Sequence, residues 1–176
     1  MIFEEAQSDG LMDWASGAEL DWDALYGDQL PRVLNYFRFH FGRHVDAEEL
    51  TSRTFEKAWR ARKRYRKDLA GFSTWLFRIA RNVGVDYLRS KRNQLPIDAA
   101  LDSEAEGTPL ADAEHDSDLA RLTELAADLP ERERELIALK YGAEMDHRVI
   151  AQLTGLSESN VGVILHRTVQ MLRARW

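Results

Sequence analysis

Residues 147–165 read HRVIAQLTGLSESNVGVIL, and their spacing decides how the C-terminal part of the chain folds. Ile150 and Leu153 fall three apart, Gly155 interrupts, and Val161, Ile164, Leu165 and then Thr168 or Val169 resume a helical period. Two short helices with a tight turn between them satisfy that pattern. Gly155 suits the positive φ that such a turn requires. Ala151 is small where the second helix must approach, Leu156 fills the space beneath the turn, and Ser157 can cap the helix that follows. This is helix-turn-helix spacing, in which the second helix enters a DNA major groove. A plain helical hairpin in a bundle shares much of it. The readings part on the outer face of the second helix, which carries Ser159, Asn160, Gly162, Val163, His166, Arg167 and Gln170. Arg167 can reach a guanine or a phosphate and Asn160 can pair with adenine. Gly162 and Val163 bring no side-chain hydrogen bond, so the face is poor in charge for a base reader.

Upstream of this motif the pattern stays helical. Pro130 suits the first turn of a helix running to about Tyr141, and Leu119, Leu122, Ala126 and Leu129 mark another before it. Residues 93–118 change character, with two prolines, a glycine, eight acids and no sustained period, which reads as a linker. Before the linker, Leu30, Val33, Leu34, Phe37 and Phe41 make one helical face, with a kink or a new helix expected at Pro31. Asp46 followed by Glu49 resembles a capping box opening a helix through Leu50, Thr54, Phe55, Ala58, Trp59 and Arg62. After the turn at Gly71, Ser73 is a candidate cap. Leu76, Ile79, Ala80, Val83 and Tyr87 then share one face, and Arg78, Asn82, Arg89 and Arg92 another, with Arg81 beside them. Phe77 and Tyr87 suit a core. No segment alternates as a strand would. The expected fold class is all-α: two small helical domains, residues 21–94 and 119–176, joined by an acidic linker at 95–118. Residues 1–20 read as an acidic tail, with a short helix around Trp14 at most.

The net charge of −6 taken alone argues against a nucleic-acid partner. Its distribution says otherwise. Residues 1–28 hold eight acids and no bases, whereas residues 29–94 hold sixteen bases and six acids. Residues 95–135 are again acidic, with thirteen acids to three bases, and residues 136–176 hold five bases and three acids. The basic block includes RARKRYRK at 60–67 and lies among Tyr65, Phe72, Trp75, Phe77 and Tyr87. Basic groups neutralise phosphates and aromatic faces stack on unpaired bases.

Other chemistry finds little support. The 176 residues contain no cysteine, so disulfides, thiolate metal sites and a cysteine nucleophile are excluded. His40 and His44 are spaced like two ligands on one helix face, but without a third ligand nearby they are expected to be a solvent-facing pair. No phosphate-binding loop, GxSxG or HExxH motif occurs, and no carboxylate pair stands out. No catalytic residue, metal or cofactor is expected, and the protein is not expected to be an enzyme. No apolar run approaches the length of a membrane span, and MIFEEAQSDG at the start lacks the features of a signal peptide. A cytoplasmic protein is expected.

The residues converge on one family. LPRVLNYFRFHFG, DAEELTSRTFEKAWR and FSTWLFRIARNVGVDYLRSKR resemble domain two of bacterial sigma factors, and LPERERELIALKY with the helix-turn-helix and LHRTVQMLR resembles sigma domain four. Nothing remains for a domain three, which is the layout of the extracytoplasmic-function (ECF) group. The resemblance covers about 140 of the 176 residues, in the family's order. It implies a subunit that binds core RNA polymerase, through the β′ clamp and the β flap, and directs promoter recognition and DNA melting. It assigns polymerase contact to Asp46, Glu48, Glu49, Leu50, Thr51, Ser52, Phe55 and Glu56. It assigns the melted −10 strand to Arg64, Arg66, Lys67, Trp75, Arg78, Asn82, Asp86, Arg89 and Arg92. The −35 duplex would meet Ser159, Asn160, Val163, His166 and Arg167, although many relatives carry Lys or Arg at the positions of Gly162 and Ile164. Phosphate contacts and DNA shape are then expected to carry more of the binding.

The 24 linker residues reach at most roughly 80 Å. Two elements roughly 17 base pairs apart are separated by roughly 58 Å, so the tether suffices. Its acids suit a polymerase channel built for phosphates, and equally a solvated spacer. The acidic tail beside the basic block is a candidate to cover it, or else a spacer of its own. Many relatives are held inactive by an anti-sigma protein. The alternative to a sigma factor is a helix-turn-helix regulator that binds DNA without polymerase.

Overall fold

Asp21 opens the first helix by accepting a hydrogen bond from the Ala24 amide at 3.0 Å. The computed structural model describes residues 21–42, 45–94 and 115–176. The acidic tail at 1–20, the helix expected around Trp14, His44 and most of the linker lie outside the described residues. Among the described residues every regular element is a helix: α1 (Trp22–Phe41), α2 (Ala47–Ala61), a 3-10 turn (Arg62–Arg64), α3 (Phe72–Gln94), α4 (His115–Ala127), α5 (Glu131–Ile137), a π turn (Ala138–Gly142), α6 (His147–Thr154) and α7 (Glu158–Arg175). None of these helices is long and apolar enough to cross a membrane.

α1 runs unbroken through Pro31 rather than restarting there. The missing proline amide frees the Gly27 carbonyl, and both residues are exposed, where water takes the lost bond. The predicted caps hold for Asp46, whose carboxylate accepts from the Glu49 amide at 2.9 Å. The reciprocal half of the box is absent, because the Glu49 carboxylate turns to Arg53 one helical turn on. Ser73 does not cap α3. It lies inside the first turn, with its hydroxyl buried and unpartnered among the described residues. Helix α5 does not reach Tyr141 as an α-helix. Its last residues widen into the π turn, where the Ala143 amide donates to the Ala138 carbonyl at 2.9 Å.

In the first half of the chain, Val33, Phe37, Leu50, Ala58, Leu76, Phe77 and Ala80 are buried where α1, α2 and α3 meet. In the second half, Leu136, Leu139, Ile150, Val161 and Leu165 are buried beneath the helix-turn-helix. These two sets are continuous: α1 packs on α4, α5 and the π turn as well as on α2 and α3, giving one hydrophobic core.

Gly155 takes φ +74, and its amide bonds the Ala151 carbonyl at 2.9 Å, so α6 ends as the sequence predicts. A side chain at this position is strained whatever the space around it. Gly155→Val is expected to lower stability by about 1 kcal/mol or more, seen as a lower urea midpoint at an unchanged slope. An unchanged midpoint would contradict the left-handed turn.

Candidate nucleic-acid interface

Three surfaces carry the residues singled out in the sequence. The first is the outer side of α3. Arg78, Asn82, Arg89 and Arg92 are all exposed along it, as the helical period requires. Asp86 is exposed beside them, held by Lys57 Nζ at 3.1 Å, so it arrives at any ligand already paired. Arg81 leaves this row. It is three-quarters buried, with its guanidinium fork on Glu135 of α5 at 2.7 and 3.3 Å.

At the N-terminal end of α3 the helix meets an aromatic cluster. Trp75 packs against Tyr65 (5.1 Å between ring centroids) and Phe72 (5.6 Å). Trp22 stands edge-on to both Trp59 and Phe72 at 5.5 Å. Trp75 is therefore partly buried within the cluster. Trp59 is half exposed, and the Arg62 guanidinium lies over its ring at 3.9 Å. Lys63, Arg64 and Lys67 are exposed around the cluster. Arg66 is exposed too, but it forks onto Asp68 at 2.9 and 2.7 Å, and that hydrogen bonding holds the Asp68 carboxyl below its usual range. Burial pushes the Tyr65 hydroxyl up, keeping it a neutral donor. The cluster thus combines partly exposed aromatic rings with a dense cationic rim, which suits a single strand whose bases are unpaired.

The second surface is α7. Ser157 caps it by accepting from the Asn160 amide at 3.2 Å. Val161, Ile164, Leu165 and Thr168 are buried as predicted. Ser159, Asn160, Val163, His166 and Arg167 are exposed together on the opposite side. Arg167 is exposed and pairs at 3.4 Å with Glu133, whose side chain is largely buried. The flank at Gly162 is not empty: a β-carbon there would lie 3.6 Å from the His147 ring. His147, the first residue of α6, was not singled out in the sequence, because no helical period links it to α7.

The third surface is the outer side of α2. Asp46, Glu48, Glu49, Ser52 and Glu56 are exposed, giving an acidic stripe in which Glu49 is paired with Arg53 and Glu56 with Arg60 at 2.6 Å. Leu50 and Thr51, expected to face a partner, instead point into the core at 2% and 3% exposure. Helical geometry forces this: Ala47, Leu50, Thr51, Thr54 and Ala58 form the inner face, and Thr51 and Thr54 return their hydroxyls to carbonyls four residues back. Phe55 is partly buried against Tyr26 of α1, with ring centroids 4.5 Å apart, and Tyr26 is half exposed. The apolar contact on this side is therefore the Tyr26–Phe55 pair.

His40 is a further correction. It is buried rather than solvent-facing, with Nδ1 at 3.2 Å from the Tyr36 hydroxyl. Burial lowers its pKa to about 4, with Arg134 and Arg81 adding to the effect against the pull of Glu135. Among the described residues no group of three or more His, Asp or Glu side chains is placed to hold a metal ion.

Known proteins share these features. Residues 25–94 match the Sigma-70 region 2 family, and residues 119–172 match Sigma-70, region 4. The chain is 30% identical to the ECF RNA polymerase sigma factor RpoE of Cereibacter sphaeroides over 127 residues, covering 72% of this chain and 70% of that protein. It is 29% identical to the ECF RNA polymerase sigma factor SigM of Bacillus subtilis over 129 residues, covering 73% of this chain and 78% of that protein. Among solved structures, the sigma factor RpoE of Bartonella quintana, determined in complex with the anti-sigma factor NepR, superposes with a TM-score of 0.67 at 20% identity, covering 88% of this chain and 95% of that one. With a helix-turn-helix in the second half, a basic aromatic-capped helix in the first, and these matches over both, the chain belongs to the ECF group of sigma-70 family RNA polymerase sigma factors.

Proposed function

We propose that α2, α3 and α7 divide the work of this sigma factor. The acidic stripe Glu48, Glu49, Ser52 and Glu56, with the Tyr26–Phe55 pair beside it, docks on a basic face of the polymerase β′ clamp. The α3 row Arg78, Asn82, Arg89 and Arg92 and the rim Arg64, Arg66 and Lys67 hold the melted −10 strand. The exposed side of α7 lies on the −35 duplex, where Arg167 and His147 take phosphates more than bases. The observation that carries this reading is the placement of four outward polar or basic α3 residues in one row ending at the aromatic cluster. Unpaired bases need both stacking and charge, and that end of α3 offers both.

Melting in this reading is capture: the energy of stacking and phosphate contact offsets the lost base pairs, and no nucleotide hydrolysis is required. The protein then acts as a non-enzymatic initiation subunit, working in the cytoplasm where polymerase works. An anti-sigma protein is a fitting regulator, since the RpoE structure from Bartonella quintana holds one.

The docking assignment has a direct test. Glu48→Lys combined with Glu56→Lys removes two exposed acids without touching the buried face of α2. Affinity for core polymerase, measured by fluorescence anisotropy, is expected to fall about tenfold or more, roughly 1.4 kcal/mol. An unchanged affinity in a folded variant would place the polymerase contact elsewhere.

A further inference from the structure

Two residues in the middle of α7 cost helix stability without serving the fold. Gly162 lies inside the helix, and a β-carbon there would meet the His147 ring no closer than 3.6 Å, which is ordinary contact. Packing therefore has room for alanine, yet glycine inside a helix is the less stable choice. Val163, next to it, is 66% exposed. A β-branched side chain in that setting loses rotamer freedom and buries almost nothing in return. The residues around this pair are polar. Ser159 and Asn160 lie one turn toward the N-terminus and His166 and Arg167 one turn toward the C-terminus, all of them exposed.

A DNA major groove gives both residues a use. Thymine is marked there by its C5-methyl group, which an apolar side chain contacts, and adenine presents N7 and N6 to an asparagine. Asn160 and Val163 are three residues apart, on one side of α7 and about 4.5 Å along its axis. That is close to the roughly 3.4 Å between successive base pairs. A glycine beside them lets the helix backbone come closer to the base edges than any side chain would allow. A guanine reader would instead carry Arg or Lys at this point. The nearest such residue in α7, Arg167, is engaged with Glu133.

We propose that α7 reads two adjacent A·T pairs in the −35 duplex: Val163 through a thymine methyl and Asn160 through the adenine of the neighbouring pair, with Gly162 setting the depth of approach. The proposal rests on the assignment of α7 to the −35 element. Base specificity then comes from one methyl contact and one amide, while the cations of this half hold phosphates. Such a reader recognises the C5-methyl group rather than thymine as a whole. A 5-methylcytosine at the same position presents the same group.

The test uses holoenzyme assembled from core polymerase and the full chain, first to select duplexes from a library randomised over the −35 element. Adjacent A·T pairs are expected in the selected element. Replacing the contacted thymine by uracil removes only the methyl and is expected to weaken binding about fourfold, the worth of one buried methyl-sized group. With C·G in place of that pair, methylating the cytosine at C5 is expected to return a gain of similar size. The uracil penalty should vanish in Val163→Ala and persist in Val163→Thr, which keeps a methyl. 7-Deazaadenine at the neighbouring pair lacks the N7 acceptor that Asn160 uses and is expected to cost about tenfold. Gly162→Ala is expected to raise the urea midpoint of the free protein and still weaken binding to the selected duplex. Binding that depends on the −35 element but shows no uracil penalty at any position, or the same penalty in Val163→Ala, would overturn the methyl contact. Unchanged binding of the 7-deazaadenine duplex would overturn the Asn160 contact, and a stabilised Gly162→Ala that binds unchanged would overturn the close approach. Indifference of the holoenzyme to a scrambled −35 element would instead remove α7 from the DNA, and the proposal with it.

Discussion

Replacing Arg78 and Arg89 together by alanine is expected to reduce open-complex formation about a hundredfold while leaving core binding intact. Both side chains are exposed on the same side of α3, and neither carries weight in the core, so the variant keeps its fold. A charge-assisted contact is worth roughly 1.5–3 kcal/mol. Losing two costs at least the roughly 2.8 kcal/mol that corresponds to a hundredfold. The salt dependence of strand capture should also flatten, since each lost phosphate contact on single-stranded DNA removes roughly 0.7 from the slope. Permanganate footprinting of melted thymines over a salt series reads both effects. Unchanged melting would remove the α3 row from the strand-holding surface. Loss of melting with an unchanged salt slope would mean that the two arginines act on bases rather than phosphates.

Acidification is expected to cost the protein about 3 kcal/mol of stability through His40 alone. In the fold the imidazole is buried beside Tyr36 and titrates at about 4, against 6.5 for a free histidine. The folded protein therefore keeps His40 neutral where the unfolded chain binds a proton. Its contribution is complete above pH 6.5 and is lost progressively as the pH falls from 6.5 toward 4, at about 1.4 kcal/mol per pH unit. The groups facing His40 come from both halves: Tyr36 on its own helix, Arg81 on α3, and Glu135 and Arg134 on α5. Charging the ring thus strains the contact between the two halves as well as the core. Urea unfolding between pH 7 and 4 should show the loss, and His40→Gln should remove the part of the slope that His40 contributes. A histidine variant with the same pH profile as the parent would contradict this burial.

How much of this was legible depends on where each signal lies along the chain. The cap residues Asp46 and Ser157 and the turn at Gly155 were readable because cap and turn chemistry is local, spanning three or four residues. The exposed row on α3 followed from the 3.6-residue period. Leu50 and Thr51 were also legible in principle, since the same period turns them inward with Thr54. They were assigned outward because the family resemblance marks a continuous stretch rather than a face. Trp22 and Tyr26 escaped because the apolar period of α1 becomes regular only from Leu30. Nothing local announces the contact between the two halves. Arg81 and Glu135 are 54 positions apart, and Gly142 shows its purpose only when α1 is packed against it. The buried state of His40 has the same origin, since a helix face exposed in an isolated domain becomes interior once a second domain covers it.

The central claim is that this chain turns core RNA polymerase into a promoter-specific enzyme, and in-vitro transcription on a genomic fragment library tests it most directly. With core polymerase and the full-length protein together, discrete transcripts should appear whose start sites share two upstream elements roughly 17 base pairs apart. Neither component alone should produce them. Transcripts no different from those of core polymerase alone, with tight duplex DNA binding by the protein on its own, would contradict the account and identify a regulator that works without polymerase.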